Sequence, residues 1–190
     1  MDSDTIWKHI DTQRGELADL LAELPEESWD RPSLCHGWTV RDVAAHLTAA
    51  QARLRDVIGP ALRAGFRYNA TIKLAALRSP LSHQEIIATL RGFVGSRRTA
   101  PFVTELEPLL DILVHTQDIC APLGITREMP LDAAVAAADR VLTLRGPMRL
   151  WKPPTDRRLV ATDVDWSYGQ GPTVEAPMAS LLLMLTGRTS

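Results

Sequence analysis

Cysteine is close to absent. The 190-residue chain has two, Cys35 and Cys120, too few for a disulfide framework and too far apart for a CxxC redox or zinc motif. A reducing, cytoplasmic setting is the expectation. An excess of charge of one sign is lacking too: 21 basic residues, of which three are lysine, stand against 23 acidic ones, for a formal net charge of -2. That balance offers no strongly basic field to phosphate backbones or anionic lipid, so neither nucleic acid nor a membrane is the expected partner. Long hydrophobic runs are missing as well. The longest, Met178 to Leu185, contains Ser180 and falls well short of the ~20 residues that span a bilayer. The opening Met1-Asp2-Ser3-Asp4 has no basic region leading into an apolar one, as a signal peptide would. What is present is 45% apolar side chains, enough to bury a core in one domain or slightly more. The expectation is a soluble monomer or homodimer that acts on small molecules.

Apolar spacing predicts mostly helix. Ile6, Ile10, Leu17, Leu20, Leu21 and Leu24 fall on one face of a helix that Pro25 ends. Pro25 to Trp38, with two prolines, Gly37 and two tryptophans, reads as an ordered connecting loop. Thr39 with Asp42 gives a capping signature for a second helix, whose stripe runs from Val40 through Leu54 and Ile58 to Gly59 and Pro60. A helix over Tyr68 to Leu77 is less distinct. Ser82 with Glu85 caps another, closed by Pro101, and Leu106 to Cys120 forms a further helix expected to start near Pro108. An Ala-rich helix follows from Leu131 to Leu144. Two strands are then expected, Arg158 to Thr162 and Val164 to Ser167, with a turn at Gly169, Gly171 and Pro172 before a last helix, Met178 to Leu185. The fold class is mainly α (α+β): a helical bundle over residues 1–125 and a small mixed α/β C-terminal lobe over 126–190.

Five histidines are the first place to look for chemistry. His9, His36 and His83 read as surface side chains. His46 lies at the edge of the buried stripe of its helix, either as a satisfied core-edge histidine or as a ligand. At 100° per residue Asp111 and His115 fall on one line, with Glu107 and Asp118 beside it. Spacing leaves two readings open. These four residues form a solvated polar face, or Asp111 and His115 point at one ion with His46 as third ligand from a facing helix. Cys35 reads as a small buried residue.

Three strings carry a family resemblance. Trp29, Pro32, Ser33, Leu34, Cys35, Gly37 to Asp42 and Ala45-His46-Leu47 look like the opening motif of the mycothiol-dependent maleylpyruvate isomerase family. Leu113 to Ile119 with Pro122, Leu123 and Gly124 resembles its second motif. Ala161 to Asp163, Asp165, Trp166, Gly169, Gly171, Pro172 and Val174, then Leu185 to Arg188, resembles a third.

That family is similar to the DinB and YfiT metalloenzymes, so the resemblance implies a DinB-like four-helix bundle binding a divalent metal, usually zinc. By the same resemblance His46, Asp111 and His115 are the metal ligands, with Asp111 standing where the family's isomerase has Glu. The implied cosubstrate is mycothiol, whose thiol adds to a small electrophile, in an isomerase or a thiol transferase. Arg188 is the counterpart of an arginine that handles the acidic substrate; on its own it reads as a cation near a helix C-terminus. Two other functions stay open: a non-catalytic small-molecule-binding module on the same fold, and a thiol-independent metallohydrolase.

Overall fold

The computed structural model describes residues 1–52, 68–100, 103–145, 154 and 156–188. Its backbone contacts divide the chain into two compact units, Asp2–Arg127 and Glu128–Ser190 with Met1. The fold is mainly α with one small sheet, and no described helix is long and apolar enough to cross a membrane.

In the first unit, α1 spans Ser3–Glu23. It begins three residues before its apolar stripe because Asp2 accepts a hydrogen bond from the Thr5 N–H at 2.8 Å, satisfying an otherwise unpaired donor. Leu24 is extended, as a residue preceding proline tends to be. Helix α2, Val40–Leu47, opens with a full capping box: Thr39 accepts from the Asp42 N–H, and the Asp42 carboxylate accepts from the Thr39 N–H at 2.9 Å. Asp is long enough for that role. The predicted stripe through Leu54 to Ile58 breaks early, however. The Thr48 hydroxyl donates to the Ala45 carbonyl at 2.7 Å, competing with the helical ladder, and a tight turn over Thr48–Gln51 leads to an extended Ala52. Leu54, Val57, Ile58, Gly59 and Pro60 lie outside the described residues, as do Pro101 and Trp151.

Helix α3 is Tyr68–Leu77, and α4, His83–Gly92, has the expected Ser82–Glu85 box. Helix α5 spans Leu106–Cys120, two residues earlier than Pro108 suggests. The reason is Glu107, whose carboxylate accepts from both the backbone N–H and the hydroxyl of Thr104 at 2.7 Å. Glu107 is therefore a buried capping group and leaves the polar line proposed with Asp111 and His115. Helix α1 packs on α4 and α5, and α2 on α3, α4 and α5. Ile10, Leu17, Val43, Ile86, Leu109 and Leu113 bury completely or nearly so between them.

The connecting loop is ordered, as expected. Trp29 is buried and stacks on the His83 ring, centroids 4.0 Å apart, while His83 Nδ1 lies 3.0 Å from a Glu26 carboxylate oxygen. His83 is thus a packed residue and not the solvated side chain expected. Pro32 and Thr39 form an isolated bridge, and the Leu34 N–H donates to the Asp118 carbonyl at 3.1 Å, fastening the loop to α5.

In the second unit α6, Leu131–Thr143, presents Ala133, Ala134, Ala137 and Ala138, a small-residue face on which α7, Met178–Leu185, packs with Met178, Leu181, Leu182 and Leu185 fully buried. Among the described residues between them are three strands, not two: β1 Arg158–Ala161, β2 Ser167–Gly169 and β3 Thr173–Ala176, in the order β2-β1-β3. The second strand sits later than alternation predicts, because residues 162–166 form a tight bend in which Ala161 N–H donates to the Trp166 carbonyl. Strand β1 runs antiparallel to β2 and parallel to β3. Three residues therefore carry the chain past the start of β1.

That close passage requires glycine. A Cβ at Gly169, φ +86, would lie 2.4 Å from the Arg157 carbonyl oxygen, and one at Gly171 2.7 Å from that of Asp156. Gly169→Ala is expected to cost ~1–3 kcal/mol, the range for a side chain forced into such a conformation. Denaturant midpoints check it, against Gly92→Ala, where a Cβ meets nothing within 4 Å; equal midpoints for the two would refute the close-passage account.

Candidate metal centre

Helices α2 and α5 are adjacent, and their facing sides bring together residues separated by more than sixty positions. His46 comes from α2 and Asp111 and His115 from successive turns of α5. One donor atom from each lies within 4.8 Å of the others. His46 Nε2 is 3.9 Å from Asp111 Oδ2, so the carboxylate reaches the imidazole although Asp is a methylene shorter than Glu. The two rings meet edge to face, with centroids 4.9 Å apart and planes at 81°. Trp38 sets its own ring against His46 at 5.6 Å. Side-chain exposure is 15% for His46 and 13% for His115, but 43% for Asp111, which marks the open side.

Two more residues complete the arrangement. Asp118, fully buried one turn beyond His115, accepts a hydrogen bond from His115 Nδ1 at 2.7 Å. Its carboxylate fixes the proton on Nδ1 and leaves Nε2 as the nitrogen able to take an ion, the arrangement usual behind metal-binding histidines. Cys35 is half-buried, not buried as expected, and its thiol donates to the same Asp118 oxygen at 3.0 Å. Its sulfur is 3.8 Å from His115 Nδ1. Burial pulls the His115 pKa down. The Asp118 hydrogen bond, the Cys35 contact and the charges of Asp111 and Asp118 more than offset it and raise the pKa to about 10 in the metal-free chain. An ion binding at this ring therefore competes with a proton.

The polar line on α5 is thus divided: Asp111 and His115 turn to His46, Asp118 lies behind His115, and Glu107 caps the helix. Sequence spacing placed Asp118 near His115 without a role. Its signal is the three-residue interval, which puts a carboxylate one turn beyond the imidazole. Cys35 has no periodic signal because it is on a loop. Arg188 belongs to the second unit, just beyond α7, where its guanidinium donates to the Thr186 carbonyl at 2.7 Å.

The donor set suits a divalent ion. Two imidazole nitrogens and one carboxylate oxygen, with a fourth position open, is a zinc-type combination, and tetrahedral bond lengths put such N and O donors about 3.4 Å apart. The observed 3.9 Å separation is half an ångström wider, within the reach of a small rotation about the Asp111 side-chain bonds.

Comparison with known proteins bears on the fold and on the stretch that contains His46. Residues 10–101 match the family model described as the mycothiol maleylpyruvate isomerase N-terminal domain, a stretch that includes His46 and ends before α5. Two crystal structures share the fold, that of the mycothiol-dependent maleylpyruvate isomerase and that of a histidine-to-alanine mutant of it. Each gives a TM-score of 0.67 and covers 100% of this chain and 91% of its own, at 14% and 13% identity respectively. No curated protein matches the chain by sequence. What the comparisons give this chain is the fold of the maleylpyruvate isomerase and, over residues 10–101, a match to the mycothiol maleylpyruvate isomerase N-terminal domain model.

Proposed function

We propose that this chain is a cytoplasmic, divalent-metal enzyme of small-thiol chemistry: His46, Asp111 and His115 hold the ion, and mycothiol adds to a small electrophile. The observation that carries this reading is the convergence of the three donors from two helices, with the far nitrogen of His115 committed to a buried carboxylate. Zinc is the ion the donor set suits best. When bound, such an ion deprotonates a coordinated thiol at neutral pH, which makes it a nucleophile.

The chain's own residues do the rest. Asp118 holds the His115 tautomer, Trp38 braces His46, and the exposed side of Asp111 leaves a way in for thiol and electrophile. Addition to the double bond of an unsaturated acid, rotation and elimination would isomerise it; addition without elimination would transfer the thiol. Arg188 is assigned the carboxylate of an acidic electrophile. Arg188→Ala is then expected to raise KM about tenfold for an anionic electrophile, the loss of one charge-assisted hydrogen bond, and to leave KM for an uncharged one unchanged. Equal effects on both would remove Arg188 from the reading.

The direct experiment combines metal analysis with mass spectrometry of products from mycothiol and a panel of electrophiles. The expected result is about one divalent ion per chain and conjugate or isomer formed only with both thiol and metal present. Product formed without any thiol would replace this reading by a metallohydrolase, and bound metal without any product would replace it by a binding module.

A further inference from the structure

The trio behind the candidate centre is itself a set of metal donors. Cys35 Sγ, His115 Nδ1 and Asp118 Oδ2 lie within 4.8 Å of one another. We infer that these three atoms form a second binding place, for a thiophilic divalent ion such as Cd2+ or Zn2+, and that it excludes an ion on the His46 side. The soft-ion place needs only the geometry of the trio; its exclusion of a second ion rests on the His46 centre proposed above.

Distances carry the argument. In tetrahedral coordination by thiolate, imidazole and carboxylate, bond lengths place S and N about 3.5 Å apart and the other two pairs about 3.4–3.5 Å apart. The sulfur-to-nitrogen separation is already 3.8 Å. The other two, 3.0 and 2.7 Å, are shorter because each is a hydrogen bond drawn onto one Asp118 oxygen. Replacing the thiol proton and the Nδ1 proton by one ion removes what holds these pairs closer than coordination requires. The fully buried Asp118 carboxylate gains a cation in place of two shared protons, which suits a charge kept from water. Thiolate among the donors selects soft ions over hard ones. Partly exposed Cys35 provides the approach.

Exclusion follows from the imidazole. A neutral ring has one proton and one lone pair. An ion on Nδ1 puts the proton on Nε2, and His115 is then lost to His46 and Asp111. In balance, the thiol and the protonated ring each give one proton to solvent, the ring keeps its other proton on Nε2, and nothing is oxidised. A soft ion would therefore silence the His46 centre by taking its central ligand, without touching the open side near Asp111.

The test is titration of the metal-free full chain with Cd2+, followed by the sulfur-to-cadmium charge-transfer absorption. The band is expected to saturate near one equivalent in the unaltered chain, in Cys120→Ser and in His46→Ala, and to be absent in Cys35→Ser. No band in the unaltered chain, or a band surviving in Cys35→Ser, overturns the inference. Loss of the band in His46→Ala also overturns it, because the sulfur would then share one sphere with His46. In the unaltered chain, Cd2+ is expected to slow alkylation of Cys35 by about tenfold, since coordinated thiolate is withdrawn from reaction; unchanged alkylation overturns it without any variant. With Zn2+ and Cd2+ together, total bound ion is expected to stay at one per chain, and two would refute exclusion. A chain that binds Cd2+ through Cys35 yet shows no thiol chemistry would sink the proposed function alone.

Discussion

His115→Ala is expected to empty the centre, taking the metal content from about one ion per chain to background. Among the described residues no other belongs to both donor groups, since His115 offers one nitrogen toward His46 and Asp111 and the other to Asp118. Losing it leaves two donors across α2 and α5, fewer than the three protein ligands typical of a catalytic zinc site. The variant also leaves the fully buried Asp118 without its imidazole partner, with the Cys35 thiol still donating. A buried polar group deprived of its partner costs ~1–3 kcal/mol, so a lowered denaturant midpoint accompanies the loss of metal. Elemental analysis of protein purified without chelator measures the first effect and chemical denaturation the second. Stoichiometric metal retained in His115→Ala would exclude His115 as a ligand.

Asp118 is expected to be second in effect although it does not face the His46 side. Asp118→Asn keeps an oxygen able to accept from His115 Nδ1 but removes the negative charge that makes the ring a better donor. Partners of this kind typically account for 10–100-fold in metal affinity, and Asp118→Asn is expected at the lower end of that range. Asp118→Ala removes the acceptor from both His115 and Cys35, and is expected at the upper end with a further loss of stability. Competition with a chromophoric chelator measures both affinities. Unchanged affinity in Asp118→Ala would mean that the ring is held by packing against His46 alone.

Local rules make much of this legible in the sequence. The capping boxes at Thr39–Asp42 and Ser82–Glu85 are sequence patterns three residues long, and the structure contains both. Asp111 and His115 are one helical turn apart, so their common face followed from helix geometry. His46 was placed by resemblance, because no local rule says which helix will face which. Most of what escaped was set by long-range contact; the early end of α2 was set locally. Strand β3 exists through parallel pairing with β1, with β2 between them in sequence only, so alternation within either segment carried little sign of it. Cys35 meets His115 and Asp118 across some eighty positions. Helix α2 ended early because a hydroxyl at Thr48 took a backbone carbonyl, while the apolar stripe in the sequence ran on.

Asp118 also binds the loop twice, its backbone carbonyl accepting from the Leu34 N–H and its carboxylate from the Cys35 thiol. Two adjacent loop residues are therefore pegged to one residue of α5, and the loop has a fixed origin on that side. Its exposed tip, His36 and Gly37, with Gly37 at φ +74, lies just past those pegs. For anyone wishing to retune the centre, the tip is the handle: His36 is the position to vary, with Gly37 kept for its positive φ, while the pegs hold Cys35 beside His115.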